Sequence, residues 1–151
     1  MDRREILKTV GAVGLAAFVS DALAAREGHE HHAGHDHAKM KNPNGKLIAS
    51  TSDCISKGQL CVDHCLMLLA DGETEMAGCA RSVHQMLALC GALQQLAGLN
   101  SGHLKPLAKV AMAACQNCED ECRKHEKDHA VCKDCGDACA ACHKECKALS
   151  A

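Results

Sequence analysis

Aromatic side chains are all but missing: the chain has no Trp, no Tyr and a single Phe, Phe18, near its N-terminus. A core beyond that point must be made from Leu, Ala, Val, Met and Cys, and the stacking platforms of single-strand nucleic-acid binders are absent. Proline occurs twice, at Pro43 and Pro106, so long helices meet few breaks. Basic charge is not in excess. Lys and Arg number 17 against 19 Asp and Glu, a net charge of −2, which supplies no field for nucleic acid. The apolar run from Thr9 to Val19 falls well below the ~20 residues that span a bilayer, so no stable membrane insertion is expected. Nucleophile-base pairs, glycine-rich phosphate loops and paired carboxylates are also lacking, and the chain reads as a non-enzyme.

Cysteine is what the chain has in quantity. Five of the 13 read Cys132, Cys135, Cys139, Cys142 and Cys146. Steps of three and four place their side chains within an arc of about 80° on an α-helix, because each residue advances ~100°. Cys115, Cys118 and Cys122 repeat the step. Cys54, Cys61 and Cys65 hold the phase through a seven and a four, and Cys79 and Cys90 fall on a seam with Met76, Val83, Met86, Leu93 and Ala97. Cysteine thus takes positions that a helical bundle would give to Leu.

The number is odd, and packed helices stand about 8 to 10 Å apart, whereas a disulfide needs Cα atoms within roughly 7 Å. Soft metal ions suit the pattern better. Thiolates at i, i+3 or i, i+4 point the same way, so each pair can grip an ion and facing helices can share ions.

The N-terminus speaks to compartment. Asp2-Arg3-Arg4-Glu5-Ile6-Leu7-Lys8 resembles a twin-arginine export motif, and Ala22-Leu23-Ala24 after the apolar run resembles a cleavage pattern. Residues 1–24 are expected to be a signal peptide that carries an already folded chain to the periplasm, with its thiols buried before they meet oxidant. Residues 25–45 follow as a polar leader with His29, His31, His32, His35 and His37, expected to be disordered and able to capture copper or zinc transiently or to act as a plain linker.

Residues 46–151 read as helix throughout. A first helix is expected over Leu47 to Ala70, a turn at Asp71-Gly72, a second helix to about Ala97 and a break at Gly98 and Asn100-Ser101-Gly102. A third helix starts near Ser101, with Pro106 in its early turns. Between Cys122 and Cys132 there is neither Gly nor Pro, so one helix of about 70 Å from 103 to 149 is conceivable. Asp128 as an N-cap and a slip in seam phase favour a turn near 126–129. Four amphipathic helices with short connections predict an all-α, antiparallel up-down-up-down four-helix bundle with a cysteine-lined core.

That topology gathers His64, Met67, Met76, His125 and His129 at one end and Leu47, Leu93, Leu104 and Leu149 at the other. The first is the expected mouth for metal, the second an apolar plug. Met86 and Met112 read as core fillers, and His84, His103 and His143 are not counted as ligands. Charge selects the ion. Zinc takes four thiolates each, about three ions in all, and every Zn(Cys)₄ unit leaves two negative charges in the core. Cu(I) at about one per thiolate leaves the core neutral, so multiple Cu(I) ions are expected. A metallothionein-like zinc or cadmium buffer remains the alternative. An iron-sulfur carrier would draw its cysteines from loops, and a Cys-x-x-Cys redox enzyme would need an exposed, low-pKa thiol at a helix start.

Residues 46–151 resemble the bacterial copper storage proteins, most specifically at Cys61-x-x-x-Cys65, Cys90-Gly91-Ala92-Leu93, Cys115-x-x-Cys118-x-x-x-Cys122 and the five-cysteine last segment. The arginine pair matches the exported branch of that family. The resemblance implies a homotetramer of bundles, Cu(I) held by pairs of thiolates, and release to a copper-acceptor protein or chelator, for supply to copper enzymes or for detoxification. It also implies His and Met ligands at the open end, which carry over to His64 and Met76. Leu68 and Asp71 stand where two further mouth methionines are expected and Met67 lies one residue off, so His125 or His129 is expected to compensate.

Overall fold

Among the described residues, four helices follow in sequence, joined by tight turns: α1 (Gly45–Ala70), α2 (Ala77–Gly98), α3 (Leu104–Arg123) and α4 (Ala130–Ser150), with a short 3₁₀ turn at Thr74–Met76 leading into α2. The computed structural model describes residues 41–150. The expected signal peptide and the histidines of the leader lie outside the described residues.

Each helix packs on two others in the ring α1, α2, α3, α4 and back to α1. The pairings run antiparallel. On α1, Cys54 meets Met86 of α2 and Cys139 of α4, while two turns further on Cys61 meets Cys79 and Cys132. Advancing along α1 therefore moves backward along both neighbours, as an up-down-up-down bundle requires.

The turns follow from local chemistry. After α1, Gly72 takes φ 96°, its N–H donates to the carbonyl of Leu69, and Glu73 N–H donates to that of Leu68. After α2, Asn100 takes φ 49°, and the N–H groups of Asn100 and Ser101 donate to Ala97 and Leu96. Both are left-handed helix ends that use carbonyls otherwise left without donors. The side-chain amides of Asn42 and Asn44 also donate to the carbonyls of Ala97, at 3.1 and 3.3 Å. The bundle thus begins earlier than the expected boundary at residue 46, because these two residues of the polar leader close the end of α2.

The third and fourth helices are separate, not one long rod. The break covers residues 124–129, where Lys124 and His125 N–H groups bond three residues back, to Glu121 and Cys122. Asp128 is not the cap: the carbonyl of His129 accepts from Cys132 and Lys133 and so begins α4. Tertiary contact supplies the reason for the break. Arg123 reaches Glu119 at 3.1 Å, Glu126 at 2.9 Å and, across the turn, Asp137 at 2.7 Å. Gly136 of α4 sits against this junction, where a Cβ would stand 3.4 Å from Cys122 Cβ and the Arg123 guanidinium, an ordinary packing distance.

Gly72→Ala is expected to lower stability by about 1 to 2 kcal/mol, the cost of a left-handed Cβ. Asn100→Gly should change it little or raise it. Denaturant midpoints with unchanged slopes would check both, and a neutral Gly72→Ala would mean that this turn relaxes freely.

Candidate metal centre

The α-helical period brings the thiols inward, and the ring of helices brings them together. All 13 cysteines are free and fully buried. Sulfur atoms approach at 3.6 Å for Cys90 and Cys115, 3.7 Å for Cys54 and Cys139 and for Cys79 and Cys122, and 3.8 Å for Cys90 and Cys142. Cys61 stands 3.9 Å from both Cys79 and Cys132, as Cys118 does from Cys135. These are contacts between thiols, far longer than a bonded pair at about 2.05 Å.

The sulfurs fall into groups whose members all lie within 4.8 Å of one another: Cys54, Cys90, Cys115 and Cys142; Cys61, Cys65, Cys79 and Cys132; Cys61, Cys122 and Cys135; Cys118, Cys135 and Cys139. The first three draw on at least three helices and the last on α3 and α4, so no single seam makes a complete ligand set. Cys146 stands outside these groups, beside Cys142. The thiol core is otherwise apolar. Thr51 and Ser82 are the buried polar residues among those described, and their hydroxyls donate to backbone carbonyls of their own helices.

No ammonium or guanidinium group reaches this core to balance a thiolate. The thiols respond to one another instead. Cys61 is pushed well up, first by its hydrogen bond with Cys122 and then by that with Cys132, with burial adding to both. Cys139 is pushed up in the same way, Cys115 leading and Cys118 next. Cys122 is pulled down because Cys118 and then Cys135 donate to its sulfur, and Cys142 because Cys115 and Cys146 do. Donors outnumber acceptors: Cys54, Cys79, Cys90, Cys115, Cys118 and Cys146 also move up, while Cys132 and Cys135 move down.

At the mouth, His64 on α1 and His129 at the start of α4 meet, Nε2 to Nδ1 at 3.0 Å, with ring centroids 4.9 Å apart. His125 stands further off, its ring centroid 6.4 Å from that of His129. All three are half-buried. Met76 is fully buried at the start of α2, three residues before Cys79. The histidine pair does not join a close group of ligand atoms with the thiols. Met67 does not gather here as expected: it is 61% exposed, since its place on α1 faces away from the seam that carries Cys61 and Cys65. His84 and His103 are exposed, as their positions off the seams imply. At the opposite end Leu47, Leu93 and Leu104 are buried, and Leu149 packs half-buried against them as the expected plug.

Met86 was legible only as a core filler. Its Sδ accepts from Cys54 Sγ at 3.3 Å, a thioether beside the thiols. Its seam position between Cys79 and Cys90 carried the signal, but Met packs in any core, so the spacing alone gave no reason to prefer a ligand.

Raised thiol pKa values hold stability that is complete below the unfolded thiol pKa of about 8.5 and is lost as pH rises toward the folded values. The four lowered thiols act in the opposite sense, stabilising above that pKa. Because burial raises every one of these thiols and no cation among the described residues offsets it, the metal-free bundle is expected to melt at progressively lower temperature above about pH 8.5. Anaerobic melting by circular dichroism, with reductant and chelator, would check this; a melting temperature that climbs with pH would mean that thiolates fill the apo core.

Known proteins share this arrangement. The family model described as copper storage protein matches residues 40–151. The uncharacterized cysteine-rich protein YhjQ of Bacillus subtilis is 26% identical over 112 residues, which cover 74% of this chain and all of that protein. Apo copper storage protein 3 from Bacillus subtilis is similar in structure, with TM-score 0.63 and 25% identity over 72% of this chain and 99% of that one. A cytosolic copper storage protein from Streptomyces lividans with five coppers has TM-score 0.64 and 24% identity over 70% and 90% of the two chains. Matched over its whole helical bundle and lined by the thiols that its seams predict, the chain belongs to the copper storage proteins, a family of metal stores and not of enzymes.

Proposed function

We propose that the protein stores many Cu(I) ions in its thiol core, takes them up at the His/Met end, and releases them to a stronger chelator or an acceptor protein. The carrying observation is the grouping of 12 of the 13 thiols within ligand distance in a core that holds no cation. A thiolate formed there can be neutralised only by a proton or a metal ion, and Cu(I) at about one per thiolate leaves no residual charge. Cu(I)-bound and five-copper structures of similar fold agree with this reading.

Two of the groups have four sulfurs, the number that tetrahedral zinc takes. This favours zinc or cadmium buffering as a second reading. It leaves two net negative charges per ion in a core without counterions, and it accounts for fewer of the thiols.

His64 and His129, joined at 3.0 Å above the first thiol groups, support a mouth role, with Met76 behind them and His125 beside them. The arginine pair and apolar run of residues 1–24 support export to the periplasm, which fractionation of cells with and without Arg3→Lys and Arg4→Lys would test. Leu60, Leu66 and Met67, apolar and more than half exposed on α1, support association into the homotetramer that the family resemblance implies, which light scattering would test.

Anaerobic titration of the reduced protein with Cu(I) against a chromogenic chelator, with thiols counted in the same sample, is expected to saturate near one copper per cysteine. Saturation at one to three ions would sink the storage reading, and a preference for about three zinc ions would favour the second. His64→Ala is expected to slow uptake several-fold while leaving capacity close to that of the parent. Uptake at the parent rate would remove His64 from the mouth.

A further inference from the structure

The thiols do not form one pool. Toward the mouth, the group of Cys61, Cys65, Cys79 and Cys132 shares Cys61 with Cys122 and Cys135, and Cys135 is shared again with Cys118 and Cys139. Toward the plug lie Cys54, Cys90, Cys115 and Cys142, with Cys146 beyond. Among the described residues, the hydrogen-bonded sulfur pair that links the two sides is Cys139 with Cys54, at 3.7 Å. The thiols that act on Cys139 straddle the division: Cys115 first, then Cys118, Cys135 and Cys54. The neighbours of Cys118 and Cys135 lie on the mouth side and those of Cys90 and Cys142 on the plug side, and it is Cys139 that neighbours Cys118 and Cys135 on one side and Cys54 and Cys115 on the other.

We propose that Cys139 is the transfer point through which Cu(I) passes from a mouth-side compartment of thiols into a deep one. The inference rests on the storage reading above. The deep thiols are fully buried, and the far end is closed by Leu47, Leu93, Ala97 and Leu104, so no second opening serves them. Passage is ligand exchange without change of oxidation state. Cu(I) held by Cys118 and Cys135 gains a bond to Cys139 as one bond behind it breaks and the Cys139 proton passes to the thiolate released, and it then gains a bond to Cys54 as the second bond behind it breaks and the Cys54 proton passes to that thiolate. Met86 Sδ, 3.3 Å from Cys54 Sγ, adds a neutral sulfur at the same neck, where an ion in transit can rest on a weak ligand.

The test follows Cu(I) uptake in time from a weakly bound Cu(I) donor, by copper-thiolate absorbance, on the reduced full-length chain. It compares the unmodified protein with Cys139→Ser, Cys139→Ala and Cys146→Ser, each checked for helix content. Cys146→Ser removes a deep thiol off the path, so it is expected to lose about one copper and to fill in one phase at the parent rate. Cys139→Ser and Cys139→Ala should lose no more than that in final capacity but fill in two phases, the second at least ten-fold slower and matching the share of the five deep thiols. The serine keeps the side-chain volume and the alanine adds no hydroxyl to the core, so one folded variant decides. Single-phase filling at the parent rate in a folded Cys139 variant overturns the proposal. Failure of the storage reading has a different signature, because the unmodified protein would then saturate at one to three ions.

Discussion

A charged sulfur in this core has no cationic partner among the described residues. The tube is walled by Leu, Ala, Val and Met, the polar residues buried in it among those described are Thr51 and Ser82, whose hydroxyls bond to their own helices, and no described cationic side chain is buried. Burial of an isolated charge is severe enough that the group changes protonation instead. Most of the thiols therefore stay protonated as small core hydrophobes until metal arrives, and a thiolate that forms earlier is held only by hydrogen bonds from neighbouring thiols, as at Cys122 and Cys142. Packing and storage use the same atoms in two protonation states.

This constraint explains why the bundle can be built before it is filled. Protonated Cys packs like a small apolar residue, so the ring of helices closes around its thiols as around any core. The turns that close it are independent of the sulfur. Gly72 and Asn100 end their helices in left-handed conformations, Asn42 and Asn44 cover carbonyls of α2, and Arg123 pins the α3 end to α4 through Asp137. The scaffold is held at its ends and along its surface, and the interior is left to the metal.

The same geometry gives the store a direction. On the proposed reading, a closed apolar end and a histidine-lined end direct traffic along the axis, and the antiparallel register sets thiols of different helices at successive levels. Levels that share a cysteine, as Cys61 and Cys135 are shared, let an ion exchange one ligand at a time without leaving sulfur. A narrowing to one shared thiol changes capacity little but governs the rate at which the deeper levels fill.

The sequence by itself determined everything that depends on one helix at a time. Steps of three and four among Cys132, Cys135, Cys139, Cys142 and Cys146 fix a common face because the α-helical period is a local property, and Leu47, Leu93 and Leu104 fix the closed end once the turns at Gly72 and Asn100 are recognised. Membership of the copper storage family was legible in those same spacings. Relations between helices were not. That Cys54 meets Cys139, that Cys90 reaches Cys142 across the core, that Met86 lies against Cys54 and that His64 finds His129 depend on axial register and rotation, which packing of whole faces sets. The break at residues 124–129 contains neither Gly nor Pro; it exists because packing of α4 on the bundle, with Arg123 paired to Asp137 across the turn, is more favourable than a continued helix whose far half has nothing to pack on. The helical period chose which residues face inward; only the tertiary structure decided which of them share an ion, because a ligand set is made of atoms that are close in space and distant along the chain.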